Sequence, residues 1–307
     1  MRAFFDKRAV SASFVWMLNR NIALVCNPMP GNERSCRMGE QVARLLRMQE
    51  VEHSLFTDGW PAGWEGYSEV WIVGGDGTLN WFINQYPGIE LPLSIFPGGS
   101  GNDFHWMLYG DVPLETQVEK LLSARTYKLD AGSCNGKLFL NGVGIGFDGA
   151  IVKDLLGRKK MAGKATYLLS ILKNIISYTE KWCRVECRDE SIEQDCLIIS
   201  VANARRYGGG FLVAPNAELT DGLLDLSIVG AISPLKRIRY LPVMEKGEHL
   251  GLPFIRYSRQ SGVVISSSSA LHCHLDGEYL YEDRFVIDVL PERFSFLLYD
   301  PPFAAGK

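Results

Sequence analysis

The chain has 307 residues, which is long enough for two domains that each bury a hydrophobic core. Apolar residues make up 47% of it and charged residues 22%, a globular balance that excludes an unfolded chain. The net charge of −3 and the pI near 6.0 argue against a nucleic-acid partner.

The first twenty residues contain one short apolar stretch, at residues 15–18, without the long apolar segment or cleavage site of a signal peptide. No apolar run in the chain reaches the roughly 18 residues that span a membrane. The seven cysteines are an odd number, which is typical of free thiols in a reducing compartment. We therefore expect a cytoplasmic protein whose first twenty residues form a disordered or docking extension.

From residue 22 onward, short apolar runs alternate with helical patterns. Strands are predicted at residues 22–25, 70–73 and 93–96 and near residue 56, and helices at residues 39–48 and 79–85. This alternation predicts an α/β domain in which helices wrap a parallel sheet. Such folds bind ligands in the loops that follow the carboxyl ends of the strands.

After residue 128 the pattern changes to short strands separated by glycine-rich turns, which favours an antiparallel sandwich or barrel. The predicted strands lie at residues 137–141, 183–187, 197–201, 224–229, 262–266 and 285–290. One helix interrupts them, with Leu168, Ile171, Leu172 and Ile175 at the spacing of a buried helical face.

The loop Gly74-Gly75-Asp76-Gly77-Thr78 follows a predicted buried strand and precedes a helix. Bare backbone N–H groups near a helix N-terminus suit a phosphate, and Asp76 offers a carboxylate to Mg²⁺ directly or through water. No Gly-Lys-Ser/Thr follows, so this is not a Walker loop. A tight turn in which Asp76 caps the following helix is the alternative. Three glycines and an acid within five residues favour the phosphate site.

A second loop, residues 97–103, repeats the design with three glycines, the Ser100 hydroxyl and Asn102-Asp103. Alone it could be an ordinary connection, but two such loops at the ends of neighbouring strands predict a polyphosphate cradle.

Residues 144–149 match the dinucleotide fingerprint GxGxxG. Because no acid lies about 20 residues further on and the surrounding strands are predicted antiparallel, a dehydrogenase is not favoured.

Taken together, these motifs resemble the catalytic family of diacylglycerol kinases, which includes bacterial lipid kinases and sphingosine kinases. More distantly, the first motif resembles NAD kinases and phosphofructokinases. The resemblance implies an NAD kinase/phosphofructokinase-like α/β domain, a C-terminal antiparallel β-sandwich and a nucleotide cleft between them. The matching segments are residues 27–31, 74–80, 97–103, 141–148, 207–210, 214–215, 221–225 and 276–278.

The resemblance implies that ATP donates its γ-phosphate to a lipid hydroxyl. Catalytic Mg²⁺ would be held by Asp76, Asp103 and Asp276, partly through water, and Glu278 would accept the proton. A second, structural Mg²⁺ would use the Asp221 side chain with the carbonyl groups of Glu218 and Leu223. The nucleotide contacts would come from Asn27, Pro28, Gly31, Thr57, Gly74, Gly75, Asp76, Gly77, Thr78, Asn80, Gly99, Ser100 and Asn102.

Asp276 and Glu278 lie two residues apart, so on an extended strand their side chains would share one face of the cleft. An Asp-Gly turn followed by a solvent-exposed glutamate is the alternative. At Asp221 the corresponding alternative to a metal site is an ordinary Asp-Gly hairpin turn. Departures from the family pattern at Pro30, Ser100 and His105 remove no proposed catalytic group.

We expect the α/β domain to cover residues 1–127 together with the C-terminal tail, 293–307, and the sandwich to cover residues 128–292. The change of pattern near residue 128 motivates the first boundary. The family pattern, in which the last segment returns to the first domain, motivates the second.

A basic stretch at residues 158–164 precedes the amphipathic helix. A solvated charge run is the simpler interpretation, whereas transient contact with anionic lipids of the inner membrane face is the functional one.

The sequence leaves open whether the protein forms a homodimer and which lipid is the acceptor (diacylglycerol, a sphingoid base or a related lipid). The alternatives to a lipid kinase are a soluble-substrate kinase such as NAD kinase and a non-catalytic nucleotide-binding sensor.

Overall fold

The computed structural model describes residues 20–29, 31–156 and 164–301. Four strands of its first half pair in parallel in the order β4-β3-β1-β2. Residues 70–73 in β3 are fully buried, because a central parallel strand is covered on both faces. The predicted α/β half is therefore confirmed. Its elements are β1 (Asn21–Cys26), α1 (Glu33–Met48), β2 (Glu52–Phe56), β3 (Glu69–Gly74), α2 (Asp76–Gln85), β4 (Leu93–Pro97), α3 (Asp103–Tyr109) and α4 (Leu114–Leu122).

The second half is built on antiparallel strands, as predicted, and neighbours follow the order β11-β10-β9-β7-β12-β13. Consecutive side chains of its strands face opposite sides: Ile199 packs in one core cluster and Ile198 in another, beneath the helices. The elements are β5 (Arg125–Cys134), β6 (Lys137–Phe139), β7 (Gly142–Gly146), α5 (Phe147–Leu155), α6 (Lys164–Ser177), β8 (Lys181–Glu186), β9 (Ser191–Ala202), β10 (Leu224–Gly230), α7 (Pro234–Glu245), β11 (Ile255–Gln260), β12 (Gly262–Leu275) and β13 (Glu278–Leu298).

The long strand β13 joins the two halves. It pairs with β12 over its first half, with β5 over its second half, and through Phe296 with Leu93 of β4. Phe294 and Phe296 are fully buried in the core that also contains β1, β3 and β4. The end of the described chain thus packs in the first half. Because β5 and β13 run through residues 128 and 293, the proposed division into two domains stays a prediction.

Three helices differ from the predicted patterns. Helix α1 begins at Glu33 and α2 at Asp76, earlier than the periodicity alone indicated. In α6, Ile171 and Ile175 are buried as predicted, but the prediction was wrong for Leu172, which is 40% exposed. The buried face of α6 runs through Ser170 and Asn174 instead, so the apolar stripe is narrower than its sequence pattern.

Within the described parts of the chain, no helix combines the length and apolar character needed to cross a bilayer. The predictions for residues 1–19 and for the basic residues 158–163 lie outside the described residues, as does Pro30.

Candidate active site

The two glycine-rich loops lie against each other, backbone to backbone, because β3 and β4 are paired up to Gly74 and Pro97. A Cβ atom on Gly99 would lie 2.4 Å from the Cα of Gly75, a separation that real Cβ atoms do not show. These two glycines are therefore required by the contact between the loops. Gly77 differs, because a Cβ there would meet only Glu278 Oε1, at 3.7 Å. Of these three glycines, Gly77 faces the cleft.

Asp76 links the two loops. It is the first residue of α2, yet its carboxylate accepts the backbone N–H groups of Asp103 (3.0 Å) and Phe104 (2.8 Å), the first two residues of α3. The Asn141 side-chain amide donates to it as well, at 3.3 Å. The capping alternative was therefore right about the chemistry but wrong about the helix, since Asp76 caps α3 and not α2.

Asp103 lies beside Asp76. A Cβ on Gly101 would be 3.0 Å from Asp76 Oδ2 and 3.5 Å from Asp103 Oδ2, so the two carboxylates flank one point. Burial, and then the charge of Asp76, raise the pKa of Asp103, against the hydrogen bond from Gly209 N–H and the charge of Arg206. Two adjacent carboxylates of this kind attract a cation.

Arg206 is a site residue that the sequence reasoning missed. Its Nε donates to Asp103 Oδ1 at 2.7 Å, and its guanidinium lies 4.2 Å from the centroid of the Trp106 ring. Both side chains line an open cavity of about 370 Å³ that also touches the second glycine loop. The available signal was the pair Arg205-Arg206 directly before the motif at residues 207–210.

The Asp276-Gly277 dipeptide forms the tight turn between β12 and β13. Both residues have positive φ, +48° and +91°, and Leu275 pairs with Glu278 across the turn. The expectation that Asp276 and Glu278 share a face of an extended strand was therefore wrong, because two consecutive residues with positive φ reverse the chain. The alternative of an Asp-Gly turn followed by an exposed glutamate describes the structure.

The Asp276 carboxylate is buried and holds the corner between β6 and β7. It accepts the backbone N–H groups of Leu140 (2.8 Å), Asn141 (2.9 Å) and Gly142 (2.8 Å), and the side-chain amide of Asn80 (3.2 Å). Burial raises its pKa to about 6, against the effect of these hydrogen bonds. Both oxygens are therefore already engaged by protein donors.

The three acids predicted to share Mg²⁺ do not converge as a set. Asp76 and Asp103 are neighbours, whereas Asn141 stands between Asp76 and Asp276 by hydrogen-bonding to both. Among the residues that the structure describes, no group of three or more His, Cys, Asp or Glu side chains is arranged to hold a metal ion. Asp76 and Asp103 lie beside the glycine loops, where one or two carboxylates could share Mg²⁺ with substrate phosphates, and the ion would compete with Arg206 for Asp103 Oδ1.

The predicted nucleotide residues lie at one edge of the parallel sheet. The Asn32 amide donates to the carbonyl oxygens of Asn27 and Thr57, which ties together the loops after β1 and β2. Asn102 and Gly99 hydrogen-bond each other in both directions, so Asn102 shapes its own loop. The remaining predicted positions are Pro28, Gly31 and Ser100 in these loops and the buried Thr78 and Asn80 in α2.

The Asp221 turn already has a cationic partner. Arg259 Nη1 lies 3.3 Å from Asp221 Oδ2, and its Nη2 lies 3.9 Å from Glu218 Oε1. The other Asp221 oxygen accepts the backbone N–H of Leu223 at 3.0 Å. A magnesium ion bound to Asp221 would have to displace the guanidinium of Arg259, as an ion at Asp103 would have to displace that of Arg206.

An apolar cavity of about 70 Å³ lies next to the acids, beneath α5, α6 and α7. Tyr207 and Gly208 form part of its wall, and the next residue, Gly209, donates its N–H to Asp103 Oδ2 at 2.9 Å. Most of its lining is aliphatic or aromatic and includes Phe147, Ile151, Ile171, Ile175, Phe211 and Met244.

Comparison with sequence families gives two matches that together span most of the chain. The diacylglycerol kinase catalytic domain matches residues 21–134, and the YegS C-terminal NAD kinase beta sandwich-like domain matches residues 141–298. A diacylglycerol kinase of Mycobacterium tuberculosis is 30% identical over 245 residues, covering 76% of this chain and 77% of its own length. A "probable lipid kinase YegS-like" of Pseudomonas aeruginosa is 31% identical over 252 residues, covering 77% and 81%.

Comparison with solved structures also supports a fold shared with diacylglycerol kinases. The crystal structure of a diacylglycerol kinase from Bacillus anthracis superposes with a TM-score of 0.70 and covers 91% of this chain and 97% of that one. Its sequence identity of 20% supports the shared architecture alone.

Proposed function

This chain belongs to the family of diacylglycerol kinases and YegS-like lipid kinases, and from that membership we propose that it transfers the γ-phosphate of ATP to a lipid hydroxyl. The proposal that the acceptor is a lipid rests on the apolar cavity beside the Asp76–Asp103 pair. A soluble acceptor such as NAD needs hydrogen-bonding groups along its length, and aliphatic side chains do not supply them. An acyl chain needs only such a wall.

The nucleotide would lie across the glycine loops at the carboxyl ends of the parallel strands, where folds of this kind bind ligands. Asp76 and Asp103 would hold Mg²⁺ together with the ATP phosphates. When bound, the ion neutralises charge that develops on the transferred phosphoryl group. Asp276 acts differently in this proposal: it positions Asn80 and Asn141 and does not contact the metal.

Glu278 is the proposed general base. Its exposed carboxylate lies opposite Gly77, and Gly77 belongs to the glycine loop that would bind the phosphates. A lipid hydroxyl is a weak acid, so a carboxylate near the attacking oxygen must accept its proton as the bond to phosphorus forms. Phosphoryl transfer also requires that the reacting groups are positioned and that their charge is neutralised. The glycine loops, together with Asp76 and Asp103, would meet both requirements.

We also propose that α6 and α7 contact the membrane that contains the substrate. Leu169 and Ile176 of α6 are 64% and 73% exposed, and Leu235 of α7 is 81% exposed. The basic stretch at residues 158–164 ends at the first residue of α6, and such residues favour anionic lipid surfaces. The buried face of α6 lines the apolar cavity, so this helix would separate the bilayer from the acyl site. At about 70 Å³ the cavity must widen to admit a chain.

Incubation of the purified protein with γ-labelled ATP and a total lipid extract tests the proposal. We expect label in the lipid phase, and mass spectrometry of the product then identifies the acceptor. A parallel reaction with NAD and no lipid tests the soluble-substrate alternative. Label in NADP and none in lipid would overturn the proposal, and ATP binding without any turnover would favour the sensor.

A further inference from the structure

A polar cluster lies in the wall of the apolar cavity, on the side that continues to the candidate active site. Asp148, the second residue of α5, and Tyr207 both line the cavity. The Tyr207 hydroxyl lies 3.1 Å from Asp148 Oδ2 and 2.9 Å from Ser200 Oγ. The His274 ring packs edge-on against Tyr207, with centroids 5.1 Å apart.

This cluster differs from the other polar groups of the cavity. Arg237 also lines it, but its guanidinium donates to Glu180 and to the backbone oxygens of Ile175 and Tyr178. Asp148 is the one acid among the described residues that line the cavity. A carboxyl placed in apolar surroundings destabilises the fold unless it has partners, so its presence there calls for a ligand or a structural reason.

The connection to the catalytic acids is short. Tyr207 and Gly208 belong to the cavity wall, and Gly209 donates its N–H to Asp103. A lipid with its acyl chain in the cavity and its reacting hydroxyl near Asp103 would therefore carry its head group past Asp148 and Tyr207. His274 adds a buried Nδ1 that has no hydrogen-bond partner among the described residues.

Resting on the proposed lipid kinase activity, we propose that Asp148 and Tyr207 recognise a second hydrogen-bond donor on the head group of the acceptor, a hydroxyl or amino group beside the one that is phosphorylated. A carboxylate accepts hydrogen bonds from such donors, whereas the ester carbonyl of a lipid with a single hydroxyl offers it none. Among the described residues, no unpaired cation lies in the cluster, so it does not suit an acceptor that already carries a phosphate. The preferred class is a lipid diol or amino alcohol.

Burial raises the pKa of Asp148 to about 6, against a smaller opposing effect of the Tyr207 hydroxyl. At pH 7.5 the group is therefore mostly ionised and accepts hydrogen bonds. An ionised Asp148 agrees with the hydrogen-bond-accepting role inferred from its position in the cavity wall. Recognition is therefore measured at pH 7.5.

The test compares kcat/KM for three lipids in mixed micelles at pH 7.5: a monoacylglycerol and sphinganine, which carry a second donor, and a diacylglycerol, which does not. We expect the wild-type protein to prefer the first two. Asp148→Asn should lower the ratio of two-donor to one-donor kcat/KM by about 10- to 100-fold, the loss of one hydrogen bond to a charged group. Tyr207→Phe, which keeps the ring packing, should lower the same ratio less.

Asp189→Asn, at an exposed acid between β8 and β9, is the matched control and should leave the ratio unchanged. Equal losses on all three lipids in Asp148→Asn and Tyr207→Phe, or a wild-type preference for the diacylglycerol, would overturn the assignment while leaving the kinase proposal intact. A wild-type protein that phosphorylates none of the three lipids would also overturn the assignment, whereas the proposed function is refuted only if the lipid extract takes up no label.

Discussion

Asp76 combines two roles that a single carboxylate can perform together. It caps the N-terminus of α3, and it places negative charge next to Asp103. The cap fixes the second glycine loop relative to the first, so the same residue that would bind Mg²⁺ also sets the geometry of the cradle. Replacing it should therefore affect the fold as well as the chemistry.

We predict that Asp76→Asn lowers the free energy of unfolding by about 1–2 kcal/mol, because an amide can accept only one of the two backbone N–H groups. Transition-state stabilisation should fall by about 2–4 kcal/mol through the lost charge. Urea unfolding and lipid phosphorylation rates measure the two effects. Turnover near the wild-type rate would exclude Asp76 from the chemistry.

Metal removal distinguishes a structural magnesium at the Asp221 turn from the ion pair between Asp221 and Arg259. Because Arg259 already pairs with Asp221, we predict that EDTA leaves the thermal unfolding midpoint of the nucleotide-free protein unchanged. Arg259→Met should destabilise only slightly, by at most about 1 kcal/mol, since the ion pair is partly exposed. A midpoint that falls in EDTA and is restored by Mg²⁺ would support the structural magnesium that the family resemblance implies.

Sequence patterns located the acids of the site but not their partners. Asp76, Asp103 and Asp276 were found from the motifs around them, while their hydrogen-bond donors lie 28, 106 and 136 residues away, at Phe104, Gly209 and Leu140. Only the folded chain brings such pairs together. Arg206 was missed for the same reason, because its role depends on a contact between the two halves.

The β12–β13 turn shows how one short element organises the site. Asp276 enters the left-handed region at the turn, and this points its carboxylate at three consecutive N–H groups in the corner between β6 and β7. Periodicity predicted only the outer parts of the two strands, residues 262–266 and 285–290. The turn itself was indicated by the Asp-Gly pair, which favours positive φ at both residues, but the N–H groups that Asp276 accepts lie in a distant segment.

We predict that Asp276→Asn lowers the free energy of unfolding by about 2–4 kcal/mol, because its NH₂ group would face backbone donors in a buried corner. Activity should fall with no change in the Mg²⁺ concentration required for half-maximal rate. Denaturant unfolding and a Mg²⁺ titration of the rate provide the two readouts. Unchanged stability with a raised Mg²⁺ requirement would make Asp276 a metal ligand after all.

Helix α6 has an exposed apolar edge in addition to the buried face that lines the cavity. We predict that the double substitution Leu169→Ser and Ile176→Ser weakens binding to anionic vesicles by about tenfold or more, since each buried aliphatic side chain contributes about 1.5–3 kcal/mol. Vesicle co-sedimentation measures the change. Met48→Ser, which removes an equally exposed apolar residue from α1, is the control. Equal effects of both variants would argue against a specific membrane face.

Across the whole molecule, one sheet path connects a parallel half to an antiparallel half. The change of sequence pattern near residue 128 predicted both halves, since strand–helix alternation and short-strand repetition are local signals. The junction was not predictable in the same way, because the register of β13 against β4 and β5 is set by contacts between distant segments. At this junction Gly77 and Glu278 face each other, since a Cβ atom on Gly77 would lie 3.7 Å from Glu278 Oε1.

The most direct test of the account is the rate of lipid phosphorylation by Glu278→Gln, measured with ATP affinity in the same preparation. Glutamine keeps the shape and hydrogen bonding of Glu278 but cannot accept a proton. We predict a kcat lowered by about 10²–10⁴-fold with ATP affinity little changed, and no such loss in the control Glu282→Gln, an exposed glutamate further along β13. Near wild-type turnover in Glu278→Gln would contradict the account.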